Sequence, residues 1–183
     1  MSESQERSPL QIWVSAIATY NKPTVLLTGA KRWEGSPPPS HEQYAPHATW
    51  IGTDIEAGEG VHIVGDLQSL DRTTDDKFDA IFSPATLEHI ERPWTAMFAM
   101  TNMLRRGGLL YLHTHQTFPL HGYPNDFYRF STEALKTLAH DAGLSVVSAA
   151  YDGPCKIRPD EKVAVWNDAA ECYLNVTMVA EKR

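Results

Sequence analysis

The strongest constraint on the fold comes from short apolar runs, rich in β-branched residues, that recur between polar segments. In chain order the runs read TVLLTG, ATWIGTD, VHIVGDL, KFDAIFSPA and LLYLHTH. Such runs are typical of buried parallel strands, because these strands are covered on both faces of their sheet. Helical patterns and crossovers lie between the runs. The alternation predicts an α/β fold with a doubly wound, mainly parallel sheet that binds ligands at the carboxyl ends of its strands.

Two helices are predicted in the second half of the chain. The segment RPWTAMFAMTNMLRRGG has Pro93 near its start, two arginines in its expected last turn and a glycine pair as its stop. In the segment STEALKTLAHDAG, Ser131 is the expected N-cap and Gly143 ends the helix. The runs LSVVSAAYDG and ECYLNVTMVAEK supply two last strands, which brings the predicted sheet to seven strands.

The N-terminal segment is predicted to be a polar arm followed by a short amphipathic helix. In LQIWVSAIATY the apolar residues recur at helical spacing, and Pro23 stops the pattern. We expect this helix to pack on an edge of the sheet. The chain has 183 residues, enough for one good core and too few for two ordinary domains. We therefore assign 1–22 to the arm and helix and 23–183 to one minimal domain.

Composition and charge narrow the class of partner. The formal net charge of −7 gives no broad cationic surface for nucleic acid. Neither a membrane-spanning stretch nor the apolar core of a signal peptide is present in the sequence. The two cysteines, Cys155 and Cys172, are expected to be inert thiols in a reducing compartment. We expect a cytoplasmic protein with a small-molecule partner and no nucleic-acid or membrane partner; uncovered sheet edges leave room for a homodimer.

Three positions at predicted strand ends form a candidate nucleotide site. Gly29 follows the first strand, where a glycine lets the backbone approach a ligand, and Asp54 ends the second, where a carboxylate can accept two ribose hydroxyls. After the third strand, Asp66 can accept from an exocyclic amine while Leu67 covers one face of the base. An ordinary turn glycine and a surface carboxylate are the alternatives. The full G-x-G-x-x-G and the P-loop are absent, which disfavours a dinucleotide enzyme.

The region from FDAIFSPATLEHIERPW to LRRGGLLYLHTH, continuing to PNDFYRFS, resembles class I S-adenosylmethionine-dependent methyltransferases of type 11. The likeness covers roughly residues 24 to 150. It implies a Rossmann-like methyltransferase fold with S-adenosylmethionine as cofactor. Carried over by motif position, it implies that Gly29 binds the methionine part, Asp54 the ribose and Asp66 with Leu67 the adenine, while Ser83 lies near the donor. The sequence departs from the family at the first turn, where Thr28 precedes GAKRW instead of an acidic residue preceding G-x-G-x-G.

The acceptor is expected at the ends of the fourth and fifth strands. His113 and His115 alternate on strand five, and His115, nearest the strand end, is a candidate general base. His121 and Asp126 follow in a polar, aromatic loop and complete the candidate catalytic set. A packing role for each is the alternative, and Arg129 could clamp an acceptor carboxylate or pair with Asp126. The loop aromatics could form a lid or a loop core: Phe118, Tyr123, Phe127, Tyr128 and Phe130.

Three functional hypotheses follow. The first is methyl transfer to a hydroxyl or amine of a small molecule, such as a sugar or secondary metabolite. The second is a non-catalytic binding or scaffold protein with a degenerate donor site, which the turn GAKRWEG motivates. The third is a metal-dependent hydrolase or oxygenase, for which the candidate ligands would be His113, His115, His121 and Asp126. Their loose spacing is weak evidence, and we expect no metal. The segment Leu87, Glu88, His89 could serve either cleft structure or chemistry.

Overall fold

The computed structural model describes residues 6–32, 35, 41–74, 77–122, 124–157 and 172–183. The helices are α1 (Pro9–Ile17), α2 (Pro93–Met103) and α3 (Thr132–Asp141). The strands are β1 (Thr24–Thr28), β2 (Thr49–Asp54), β3 (Ile63–Val64), β4 (Phe78–Pro84), β5 (Leu104–His115), β6 (Leu144–Cys155) and β7 (Cys172–Lys182). Short 3₁₀ helices span His41–Tyr44, Leu70–Arg72 and Leu87–His89.

The strands of the described residues form one seven-stranded sheet in the order β3-β2-β1-β4-β5-β7-β6. β1 to β5 run parallel to one another, whereas β7 pairs antiparallel with both β5 and β6. The chain moves outward from β1 to β3 and then returns to the other side of β1 with β4. This reversal opens a crevice at the carboxyl ends of the central strands. The predicted doubly wound, mainly parallel α/β fold is confirmed.

Alternate residues of the central strands build two cores on opposite faces of the sheet. On β1, Val25 and Leu27 belong to one core and Leu26 to the other. α1 covers the first core through Trp13, which is wholly buried and meets the ring of Phe82 edge-on at 5.2 Å. The second core lies under α2 and α3 and includes Met97, Met100, Leu135 and Ala139.

The position of α1 differs from the prediction. We expected it on an edge of the sheet, but it packs on a face. Trp13 contacts Phe82 of β4 and Tyr111 of β5, which are both interior strands. The helix is otherwise as expected, with Ser8 accepting the backbone N–H of Gln11 at its start. An indole of this size needs a broad apolar surface, which the middle of the sheet supplies and its edge does not.

The boundary between α2 and β5 also differs from the prediction. We expected both arginines in the last turn of α2, but the helix ends at Met103 and they already lie in β5. Leu104 pairs with Phe78 of β4, so sheet pairing starts directly after the helix. The register then shifts around Gly107, whose φ of +75° suits the absence of a side chain. Arg105 donates to Asp79 at 2.6 Å across this irregularity.

The remaining elements agree with the sequence pattern. Ser131 caps α3 by accepting the N–H of Ala134 at 3.1 Å, and Gly143, with φ +80°, follows the end of this helix. Tyr123, the prolines at 37–39 and the polar stretch at 158–171 lie outside the described residues. Within the part of the chain that is described, no helix combines the length and the apolar character needed to cross a membrane.

Candidate functional site

A cleft of about 620 Å³ opens at the carboxyl ends of β1, β2 and β4. Its volume is typical of sites for small molecules and cofactors. The described residues that line it come from the turns after β1 to β4 and from the segment before α3: Thr28, Gly29 and Lys31, residues 53–56 and 65–68, Ala85 and Thr86, residues 89–91, Gly122, Pro124, Asn125 and Phe127. The cleft therefore joins the predicted donor positions to part of the predicted acceptor loop.

The turn after β1 requires a residue without a side chain at Gly29, because the backbone there packs closely against Thr86. The φ of Gly29 is +62°, and a Cβ at this position would stand 2.7 Å from Thr86 Oγ1. Both features favour glycine. Beyond it, the backbone N–H groups of Ala30 and Lys31 bond to the end of β2, to Thr53 O and Asp54 Oδ2, each at 3.0 Å. The atypical GAKRW sequence thus still forms a tight turn tied to its neighbouring strand.

The carboxylate of Asp54 stands at the end of β2 and lines the cleft. Oδ2 accepts the N–H of Lys31 and Oδ1 accepts the N–H of Glu56 at 3.2 Å. A carboxylate offers about four acceptor positions, so two such bonds leave capacity for a diol. The backbone bonds fix the orientation of the group. This placement agrees with the ribose role predicted for Asp54.

Asp66 and Leu67 lie together on another wall of the same cleft. The Asp66 side chain is exposed, and its Oδ1 accepts the N–H of Gln68 at 2.9 Å. Leu67 is largely buried and joins the core beneath α2. An apolar side chain beside an exposed acceptor can cover a base and bind its exocyclic amine. The structure thus brings both adenine candidates to the cleft that holds Gly29 and Asp54.

Ser83 occupies a different environment from the one predicted. It is 1% exposed and is not among the described residues that line the cleft. Its Oγ accepts a hydrogen bond from Thr28 Oγ1 at 2.7 Å. Because a side chain this deeply buried cannot contact a ligand in the cleft, Ser83 supports the turn after β1 from below.

His89 is the histidine that lines the cleft, and the sequence had singled out others. Its Nδ1 lies 2.6 Å from Asn125 O, a carbonyl that can only accept. In the neutral ring the proton is therefore on Nδ1, and Nε2 carries a lone pair. The signal for His89 was present in the LEH segment directly after β4. The sequence leaves the role of His89 open, because it does not show which way a side chain at the end of a strand points.

His115, the predicted general base, is buried behind this wall. Its side chain is 9% exposed, and Nδ1 lies 3.0 Å from Asn175 Oδ1. Nε2 lies 3.2 Å from Glu88 Oε1, and the ring stacks on Phe118 at 4.0 Å. Nδ1 is hydrogen-bonded, Nε2 faces Glu88 in the interior and Phe118 covers one face of the ring, so His115 presents no atom to an acceptor in the cleft. The contacts favour a structural or ligand-holding role over the predicted catalytic one.

Asp126 and His121 brace the segment between β5 and α3. Arg129 donates to both oxygens of Asp126, at 2.5 Å from Nη1 and 2.7 Å from Nη2, and further to Phe118 O and Pro119 O. His121 donates its backbone N–H to Asp126 Oδ2 at 3.0 Å. Arg129 and this N–H hold the pKa of Asp126 below its ordinary range. A carboxylate so stabilised is a weak base, so these contacts favour bracing over the predicted catalysis.

The loop aromatics divide between the two roles considered for them. Phe127 is 43% exposed and lines the cleft, whereas Phe130 is buried in the core beneath α3. Tyr128 is half-buried and donates its hydroxyl to Glu91 O at 3.0 Å. Phe118 covers His115. Among the described rings of this segment, Phe127 faces the cleft.

A group of candidate metal ligands lies beside the cleft. One ligand atom each from Glu88, His115 and His121 lies within 4.8 Å of the others. This set differs from the one weighed from the sequence. Asp126 is instead paired with Arg129, and His113 is not part of the group of ligand atoms found among the described residues. The sequence pattern does not indicate Glu88 as a ligand, because it is far from His115 and His121 along the chain.

Comparisons with known proteins agree with this geometry. The model of the methyltransferase domain family matches residues 45–112. No curated protein sequence matches the chain. Among solved structures, an S-adenosylmethionine-dependent methyltransferase from Archaeoglobus fulgidus is 15% identical with a TM-score of 0.64, and the match covers 94% of each chain.

Two further structures have the same fold. One from Clostridium acetobutylicum, an S-adenosylmethionine-dependent methyltransferase, is 10% identical with a TM-score of 0.63, over 93% of this chain and 88% of that one. The 1,6-didemethyltoxoflavin-N1-methyltransferase of Burkholderia thailandensis, with its substrate and S-adenosylhomocysteine bound, is 12% identical with a TM-score of 0.63, over 97% and 79%. The shared architecture therefore extends over nearly the whole chain, while the family match covers its middle.

Proposed function

We propose that the chain is a class I S-adenosylmethionine-dependent methyltransferase that methylates a hydroxyl or amine of a small molecule such as a sugar or secondary metabolite. The observation that carries the proposal is the single cleft that joins the donor positions to His89. Transfer requires donor and acceptor to be held side by side in a pocket that excludes water.

The residues present fit the donor. Gly29 lines the cleft in a turn that admits no side chain, Asp54 has acceptor capacity for the ribose diol, and Asp66 with Leu67 suits the base. When bound, S-adenosylmethionine supplies a methyl group on a sulfonium and leaves as S-adenosylhomocysteine. In this proposal Ser83 acts indirectly, because its bond to Thr28 supports the turn that carries Gly29.

We assign acceptor deprotonation to His89. As the acceptor oxygen or nitrogen gains the methyl carbon it loses one proton, and the methyl-to-sulfur bond breaks at the same time. Nε2 of His89 can take this proton because Nδ1–H is held by Asn125 O. His115 lies behind the cleft wall that carries His89 and supports it. His121 and Asp126 hold the segment that contributes Asn125 to the cleft.

The walls of the cleft support a compact acceptor. Ile90, Pro124 and Phe127 provide an apolar side, and the enzyme carries a formal net charge of −7. Both properties disfavour a polyanionic polymer. A cytoplasmic location stays a prediction from the sequence. A homodimer stays a prediction, which light scattering after gel filtration checks.

The test is a donor titration followed by an acceptor screen. We expect micromolar S-adenosylmethionine binding by calorimetry, and formation of S-adenosylhomocysteine with at least one hydroxyl or amine compound. With that compound, His89→Gln should lower kcat by about 10²-fold or more while leaving donor affinity unchanged. The control is His140→Gln, which replaces a histidine that is 90% exposed on α3.

Two results would contradict the proposal. If the folded wild-type chain does not bind the donor, the scaffold hypothesis raised by the GAKRWEG turn takes its place. If the donor binds but His89→Gln retains full kcat, deprotonation is not assigned to His89, and a substrate that enters already deprotonated becomes the better explanation.

A further inference from the structure

Three side chains from separate segments converge behind His89. Glu88 belongs to the 3₁₀ helix after β4, His115 ends β5, and His121 lies in the segment before α3. Ligand atoms from the three lie within 4.8 Å of one another. Two imidazoles and one carboxylate form a donor set that suits zinc, which accepts nitrogen and oxygen ligands together.

Among the described residues, one oxygen of the buried Glu88 carboxylate has no hydrogen-bond donor. Glu88 is 0% exposed, and its Oε1 makes no hydrogen bond to any of the described residues. A buried carboxylate oxygen without a partner is costly. His115 Nε2 lies 3.2 Å from this oxygen.

The protonation pattern of His115 sharpens this observation. Asn175 Oδ1 lies 3.0 Å from His115 Nδ1 and can only accept, so the neutral ring carries its proton there. The lone pair of Nε2 then faces the oxygen of Glu88. Two electron-pair donors 3.2 Å apart repel each other unless a positive charge lies between them.

The other polar atoms of the group are already held by the protein. Thr114 Oγ1 donates to Glu88 Oε2 at 2.7 Å, and His121 Nδ1 lies 3.1 Å from Pro119 O, so its proton points at that carbonyl and Nε2 is left with a lone pair. Histidine ligands of metals donate their second N–H to an acceptor in this way, and carboxylate ligands accept hydrogen bonds at the oxygen turned away from the metal.

We propose that Glu88, His115 and His121 bind one zinc ion, with water completing the coordination. The ion would tie the end of β5 to the segment before α3. His121 is followed directly by Gly122, which lines the cleft, so bound zinc would fix the acceptor wall. The site is separate from the donor positions, and the proposal does not depend on the methyl-transfer assignment.

The test uses the full-length chain without a metal-binding tag. After treatment with a chelator and gel filtration, the protein is titrated with Zn²⁺ by calorimetry, and its metal content is measured by mass spectrometry. We expect about one zinc per chain and a higher Tm with zinc. His121→Asn and Glu88→Gln should each weaken zinc binding by at least about 100-fold. His140→Asn, which alters the exposed histidine of α3, should bind zinc like the wild type.

Two outcomes overturn the proposal: folded wild type that takes up no zinc, in which case a proton bridges Glu88 and His115, or His121→Asn that binds zinc as tightly as wild type. If Glu88→Gln does not fold, His121→Asn still tests the proposal. The His121 side chain is 24% exposed, so the fold tolerates its replacement. S-adenosylmethionine binding is measured on the same samples, so that loss of the donor site is distinguished from loss of the metal.

Discussion

The donor and acceptor halves of the cleft are built in opposite ways. In the donor half, single side chains such as Asp54 are oriented by backbone N–H groups a few residues away or on the neighbouring strand. In the acceptor half, side chains orient one another: Arg129 grips Asp126, and His115 lies between Asn175, Glu88 and Phe118. The donor half therefore relies on backbone donors, whereas the acceptor half relies on contacts between side chains, of which His115 with Asn175 joins residues far apart in the sequence.

The largest effect is expected from Asp54→Ala in the donor half. Loss of two charge-assisted hydrogen bonds to the donor, worth about 1.5–3 kcal/mol each, should weaken S-adenosylmethionine binding by about 100-fold or more. Calorimetric titration measures this change. Asp141→Asn removes an equal charge from an exposed site on α3 and should leave affinity unchanged. If Asp54→Ala binds S-adenosylmethionine as tightly as the wild type does, Asp54 does not contact the donor, and the donor binds elsewhere.

A smaller effect is expected from Gly29→Ala. The added Cβ would meet Thr86 Oγ1 at 2.7 Å, and the φ of +62° adds strain of about 1–2 kcal/mol. We expect about tenfold weaker donor binding and a lower Tm. Gly107→Ala is the matched control, because its φ is +75° but nothing lies within 4 Å of the added atom. If both variants bind the donor alike, close approach at Gly29 is not required.

Arg129→Lys tests whether the contacts of Arg129 hold the segment between β5 and α3 in place. Lysine cannot make the paired bonds to Asp126 or reach Phe118 O and Pro119 O together. We expect faster chymotrypsin cleavage between residues 118 and 127 and a Tm lower by several degrees, with donor affinity changed by less than about twofold. Arg92→Lys, at a guanidinium that is 58% exposed, serves as control. A large loss of donor affinity in Arg129→Lys would show that the two halves are coupled.

The smallest effect is expected from Ser83→Ala. Removing one buried hydrogen bond should cost about 1 kcal/mol in the free energy of unfolding. Thr28 Oγ1 can instead donate to Thr86 Oγ1, which lies 3.1 Å away, so the turn should persist and donor affinity should stay within about twofold. Denaturant unfolding and donor titration measure the two quantities. Loss of donor binding without loss of stability would restore Ser83 as a ligand contact.

The same contrast explains what the sequence could predict. Strand periodicity and the residues that end each strand identified the α/β sheet and the donor positions Gly29, Asp54, Asp66 and Leu67, because each depends on its own segment. The sequence predicted His115 as the base because it does not show that the surroundings of His115 include Asn175, sixty residues away on an antiparallel strand. The face on which α1 packs and the early start of β5 likewise depend on partners elsewhere in the sheet.

The position of α1 has a consequence for how the chain is made. α1 contacts β5, β6 and β7, and Trp13 shares its core with Val179 of β7. During translation α1 is synthesised before the described strands, and β7 is synthesised after the other six. The apolar side chains of α1 therefore stay exposed until the strands that cover them have emerged. Throughout that interval Trp13 and Ile17 are available to chaperones, and β7, which is translated after the other described strands, completes the packing of α1.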